Sequence, residues 1–208
     1  MASGQAAADL KTAVRAARGG DEAAFRLLYR EVQPELLRYL RGLVLSAQDA
    51  EDIAAETWLH IVRDIGSFRD EGAGFRGWAT RIARHRALDH LRYTQRRPVA
   101  VFTAEVLVEV PADGDTAEEA VTAVATDAAI GFIATLPQDQ AEAVLLRVVM
   151  GFDTRTIARI MGKRPGAART AIWRGLRTLG ERLEKGGGHV TVAKGVTWRR
   201  DSTPRKTG

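Results

Sequence analysis

The stretch GFDTRTIARIMGKRPGAARTAIWRGLRTL, residues 151–179, decides the fold. Asp153 stands where a helix N-cap belongs, ahead of a short apolar-periodic run that ends at Met161. A short carboxylate there accepts hydrogen bonds from the free amides of the first turn. Gly162 supplies the left-handed backbone that a tight helix exit needs, and Pro165 has its φ preset for the first turn of the next helix. The spacing predicts a helix-turn-helix. On its second helix Ala168, Ile172, Leu176 and Leu179 form the stripe to be buried, while Arg169, Thr170, Trp173, Arg174 and Arg177 share the opposite face. Together with Arg164 in the turn, that face suits a DNA major groove. Arg169 and Thr170 reach toward base edges, Arg174 and Arg177 toward phosphates. Trp173 is open to two roles, contact with nucleic acid or packing on the preceding helix.

Working outward, Ile130–Thr135 and Gln138–Val149 read as two further helices, with breaks at Pro137 and Gly151. Residues 98–127 contain no Lys or Arg and accumulate Glu105, Glu109, Asp113, Asp115, Glu118, Glu119 and Asp127, with Pro111 and Gly114 among them. This segment reads as an acidic, flexible linker. Before it, Phe25, Leu28, Tyr29, Val32, Leu36, Leu40 and Leu43 recur at helical steps, with Pro34 expected to divide or kink the run. Ser46 followed by Asp49 has capping-box spacing, and Ile53, Trp58, Ile61, Val62 and Ile65 are expected on one buried stripe. Gly66, Gly72 and Gly74 mark a loop, after which Phe75, Trp78, Ile82, Ala83 and Leu91 resume helical spacing to about Tyr93. The expected fold is all-α: a four-helix domain over 1–97, the linker over 98–127, a helix-turn-helix domain over 128–184, and a basic disordered tail over 185–208.

Charge follows the same division. Lys and Arg number 31 against 26 Asp and Glu, a formal charge of +5, which favours a polyanionic partner. Arg76, Arg81, Arg84, Arg86, Arg92, Arg96 and Arg97 form a basic block opposed locally by Asp89 alone. Phe75, Trp78 and Tyr93 interleave with it, and helical geometry gathers Arg81, His85, Asp89 and Arg92. Cations that hold phosphates beside aromatic faces that take unstacked bases are what single-strand capture requires. Trp78 sits at core spacing and is expected inside the domain. Asp49, Asp52 and Glu56 project from one side of their helix, where the helix dipole alone accounts for acidic residues.

The absence of Cys removes disulfides, thiolate metal sites and a cysteine nucleophile. His60, His85, His90 and His189 are scattered, and neither a zinc-protease motif nor a phosphate-binding glycine loop occurs. No catalytic residue, metal ligand or cofactor is expected, and the protein is read as a non-enzyme. No run approaches the ~20 apolar residues of a membrane span, and Met1–Gly20 lacks an apolar signal core, so a cytoplasmic location is expected.

Three ordered segments resemble the extracytoplasmic-function group of the sigma-seventy family. DAEDIAAETW, Asp49–Trp58, is similar to that family's helix for docking the clamp of RNA polymerase. FRGWATRIARHRALDHLR, Phe75–Arg92, is similar to its promoter-melting helix, and LPQDQAEAVLLR, Leu136–Arg147, with the helix-turn-helix after it, to its upstream-element reader. The resemblance implies a sigma factor that binds core RNA polymerase and promoter DNA, with an anti-sigma factor as a further partner and no membrane insertion. It implies Asp49, Asp52 and Glu56 for the clamp helices of the largest subunit. It implies Phe68, Arg76, Arg81, Arg84, His85 and Arg92 for the minus-ten element, the Gly66–Gly74 loop holding a flipped base. Arg164, Arg169, Thr170, Trp173, Arg174 and Arg177 fall to the minus-thirty-five element. Ala55 stands where the family usually has Gln, a difference that bears on clamp affinity. His85, Thr156 and Ala171 replace the common Asn, Glu and Arg, and these bear on promoter choice. The rival reading is a polymerase-independent helix-turn-helix regulator that binds duplex operators as a dimer.

Overall fold

A computed structural model of the chain describes residues 2–44, 46–69, 74–96 and 117–186, and all regular structure among them is helical. The elements are α1 (Ala2–Arg18), α2 (Glu22–Val44), α3 (Ala47–Asp64), a single 3₁₀ turn (Ile65–Ser67), α4 (Gly74–Arg96), α5 (Ala117–Ala134), α6 (Gln138–Val148), α7 (Thr154–Met161) and α8 (Pro165–Gly186). The connector over 97–116 and the tail beyond 186 lie outside the described residues.

Local chemistry sets most of the boundaries. Asp21 accepts from the Ala24 amide at 3.0 Å to start α2, and the Ser46 hydroxyl accepts from the Asp49 amide at 3.2 Å to start α3. Asp153 caps α7 by accepting from the Thr156 amide at 2.8 Å. Gly162, at φ 65° and ψ 32°, ends α7 in the left-handed region. The Lys163 amide there closes back on the Ala158 carbonyl at 2.8 Å, which satisfies a carbonyl the helix leaves free.

Three expectations need correction. Pro34 does not divide α2, for the helix is continuous from Glu22 to Val44. Proline deletes one amide donor, toward the Arg30 carbonyl, and Arg30 and Pro34 are both exposed, so water can serve the orphaned acceptor. Helix α5 begins at Ala117, well inside the segment read as linker. Its alanines and glutamates favour helix without producing an apolar period. Val62 is 57% exposed, one position round the helix from the buried Ile61. Helix α1, which the sequence reading left unassigned, packs on α2 and α4.

The core forms one cluster. Leu28, Val32, Leu36, Tyr39 and Leu40 of α2 pack with Ile53, Trp58 and Ile61 of α3 and Phe75, Ala79 and Ala83 of α4. The second half centres on α6, in which every residue from Ala141 to Leu146 is buried. A helix buried on all sides must have neighbours on all sides, and α2, α5, α7 and α8 supply them. The N-terminal and C-terminal helical groups therefore pack against each other, α2 on α5 and α6 and α4 on α7. Gly42 permits this, since a β-carbon there would fall 2.7 Å from Leu145 Cδ2 and 3.0 Å from Ile130 Cγ2.

Candidate nucleic-acid interface

Helix α8 presents its polar face outward because its other face is pinned to α6. Ala168 and Leu179 are buried, Ile172 and Leu176 partly so. A β-carbon at Gly175 would meet Val144 Cγ2 at 2.7 Å, so glycine sets the close approach of α8 to α6. Arg164, Arg169, Thr170, Trp173, Arg174 and Arg177 are all exposed. Trp173 is 57% exposed. The Arg177 guanidinium lies 5.4 Å from its ring centroid, within cation–π range. Arg177 also bonds Glu181 at 2.7 Å, which holds that carboxyl below its usual range. Thr170 donates to the Gly166 carbonyl at 3.0 Å. Arg164, Arg169 and Arg174 have no ion pair among the described residues.

The basic block on α4 divides into two groups. Arg81, His85, Asp89 and Arg92 line one exposed stripe, as their spacing predicts, with Arg92 paired to Asp89 at 2.8 Å. Arg76, Arg84 and Arg86 instead meet carboxylates from other elements. Arg86 lies 3.8 Å from Glu56 and 3.2 Å from His60 Nδ1. Arg76 pairs with Glu35 and donates to the Met150 carbonyl at 3.1 Å, and burial lowers its pKa. Arg84 engages Glu142 through Nε and, at 3.3 Å, through Nη2. Burial pulls the Arg84 pKa down, but the hydrogen bond and charge of Glu142 outweigh it and the net shift is upward. Buried Tyr39, next to this pair, has its hydroxyl pushed well above its ordinary value by burial and then by Glu142. Phe68 is buried in an aromatic cluster, its ring 5.1 Å from Trp78 and 6.0 Å from Phe75. Trp78 is half-buried, not fully inside. The two rings edge a cleft of about 380 Å³ whose other walls include Arg69, Arg81, Arg159 and Ile160.

On α3 the three acids separate by degree. Asp49 is half-buried and bonds His90 Nε2 at 3.2 Å, whereas Asp52, which accepts from Gln48 at 3.1 Å, and Glu56 are exposed. Leu59, 65% exposed, and Val62 continue the exposed side of the helix beyond them. Sequence reasoning missed this apolar extension by assigning Val62 to the core. It also missed Glu35 and Glu142, for which linear sequence offers no signal because each looks like a solvated helical charge.

Among the described residues, no helix is long and apolar enough to cross a membrane, and no group of three or more His, Asp or Glu is placed to hold a metal ion.

Comparison with known proteins agrees with this layout. The family described as Sigma-70 region 2 matches residues 28–97, and Sigma-70, region 4, matches residues 127–179. The chain is 32% identical over 170 residues to the ECF RNA polymerase sigma factor BldN of Streptomyces coelicolor, across 82% of this chain and 64% of that one. It is 30% identical over 186 residues to the ECF RNA polymerase sigma factor SigD of Mycobacterium tuberculosis, across 87% of each chain. In fold it is similar to the sigma factor RpoE of Bartonella quintana, solved with the anti-sigma factor NepR. The TM-score is 0.61 at 22% identity, over 77% of this chain and 96% of that one.

Proposed function

The chain belongs to the extracytoplasmic-function group of the sigma-70 family of RNA polymerase sigma factors, and from that premise we propose which of its surfaces performs each part of transcription initiation. The domain over 1–97 docks on core polymerase and takes the minus-ten element. The domain over 128–184 reads the minus-thirty-five element as duplex. The connector ahead of α5 spans between them, and the tail over 185–208 adds basic charge.

One observation carries the reading: Arg164 in the turn and the α8 face of Arg169, Thr170, Trp173, Arg174 and Arg177 are exposed together, after the capped helix α7. Such a helix fits the major groove, with Arg169 and Thr170 at base edges and the other arginines at phosphates. Asp49, Asp52 and Glu56 on α3 dock the clamp helices of the largest polymerase subunit, and opposite charge on that partner steers the encounter. Arg81, His85 and Arg92 hold the backbone of the melted strand, joined by Arg76 and Arg84, while the cleft beside Phe68 and Trp78 takes an unstacked base. Opening the duplex needs no covalent chemistry. Affinity for the melted state is set against base pairing and stacking, and the equilibrium moves by that differential alone. The protein works where the polymerase is, in the cytoplasm, and an anti-sigma factor is a partner of the same class as the one bound to the Bartonella quintana relative.

Permanganate reactivity of promoter thymines tests this assignment. Core polymerase with the chain is expected to expose thymines around the minus-ten element, and neither component alone should do so. Strong footprints from the chain alone, with no reactive thymines when polymerase is added, would instead make it a polymerase-independent regulator.

A further inference from the structure

Helix α1 lies ahead of the residues matched by Sigma-70 region 2, which begin at residue 28, yet it packs on α2, on α4 and on the 3₁₀ turn Ile65–Ser67. Ala13, Val14 and Ala17 bury its inner side. At its end the chain reverses through Gly19 and Gly20, where Gly20 takes φ 91° and its amide bonds the Ala17 carbonyl at 3.0 Å. Arg18 is thus carried on a fixed base, and its Nη2 donates to the Gly66 carbonyl at 3.0 Å, across 48 residues of chain. The bonds that close the turn itself are local. The Phe68 amide donates to the Ile65 carbonyl at 3.2 Å, and the Ser67 hydroxyl to the Asp64 carbonyl at 2.8 Å. Gly66 has no side chain to pack, and a β-carbon there would meet nothing within 4 Å. Hydrogen bonding, not packing, therefore fixes the plane of its peptide. The residues that follow, Ser67, Phe68 and Arg69, line the cleft beside Trp78.

We infer that Arg18 is a positioning residue for base recognition: from α1 it holds the Gly66 carbonyl, and so fixes the turn that sets Ser67, Phe68 and Arg69 along the cleft for an unstacked base. The inference rests on the base-binding role proposed for that cleft and names the residue that sets its selectivity. Stacking on an aromatic face accepts every base, and a guanidinium holds the phosphate of any sequence, so discrimination falls to the polar groups along the turn. Such groups discriminate only when they are held to within about 0.5 Å. Releasing the Gly66 peptide blurs their placement and leaves Trp78 and Arg81 where they stand on α4. Selectivity at one base is then lost while general affinity for the strand remains.

Two measurements test this. In the first, core polymerase assembled with the full chain selects from a pool of single-stranded oligonucleotides of random sequence, and sequencing gives the enrichment of each base at each position. Arg18→Ala is expected to lower the enrichment at one position by about threefold to tenfold, the worth of one hydrogen bond, with the other positions and the total DNA retained unchanged. Arg18→Lys is expected to recover part of that selectivity, because an ammonium can still donate to the carbonyl. Arg15→Ala removes the same charge from an equally exposed site on α1 and is expected to change nothing. In the second, hydrogen exchange followed by NMR on the full chain reads the Phe68 amide, which Arg18→Ala is expected to speed by about threefold to tenfold while the amides of α3 keep their rates. Arg18 is exposed and outside the core, and an unchanged melting temperature verifies that the variants are folded. An even loss at all positions, the same loss from Arg15→Ala, or an unchanged Phe68 amide overturns the assignment. A wild-type complex that enriches no base defeats the base-binding reading of the cleft, and the Phe68 amide then still decides whether Arg18 holds the turn.

Discussion

Arg169 has no ion pair among the described residues and stands exposed early on α8, so its guanidinium is available for a base edge. Arg169→Ala is expected to weaken binding of the upstream element by about 1–3 kcal/mol while leaving the pull-down of core polymerase unchanged. Equal loss of both would return Arg169 to a structural role. Asp52 is exposed on α3 with Gln48 as its neighbour, and Asp52→Ala should lower core association several-fold without changing the melting temperature, whereas a purely dipole-stabilising residue would change the second and not the first. Asp153 gives a pH test. The Thr156 amide, foremost among its interactions, holds the carboxyl below its ordinary value. A depressed folded pKa contributes stability that is present above the unfolded value of about 3.9 and is lost as pH falls through the lowered one. Asp153→Ala is expected to cost about 1 kcal/mol near neutrality and less in acid, as read by chemical denaturation at several pH values. These residues were legible in the sequence because caps, turns and face spacing are local. Glu142 was not, since its burial depends on helices far away in the chain.

At the scale of elements, periodicity located α3, α4, α6, α7 and α8 closely, and it failed where local preference and tertiary context disagree. Pro34 lies inside α2 because its missing donor falls on the solvent side. Pro34→Ala restores that donor in a helix interior and is expected to stabilise the protein by up to about 3 kcal/mol, seen as a higher melting temperature with unchanged helicity at low temperature. A drop in stability would mean that proline's restriction of the unfolded chain outweighs the missing bond. The start of helix α5 was placed too late because the alanine-rich sequence ahead of Ile130 forms helix without marking a face, and α1 was left unassigned although Ala13, Val14 and Ala17 give it a buried side. Val62 was misassigned because a single helical step separates it from Ile61.

For the whole molecule, the all-α class and the two helical groups followed from charge blocks and breakers along the chain, but their packing on each other did not. That contact rests on Gly42 beside Leu145 and on the Arg84–Glu142 pair, and neither has a signature in linear sequence. The basic surface is consequently unequal: α8 is open while part of α4 is covered. The claim on which the rest depends is that these surfaces serve a polymerase at promoters. Run-off transcription over a genomic promoter library, with core polymerase in the presence and absence of the chain, addresses it directly. The account predicts discrete transcripts that start at a shared motif and appear only when the chain is present, and an identical transcript pattern with and without it would contradict that claim.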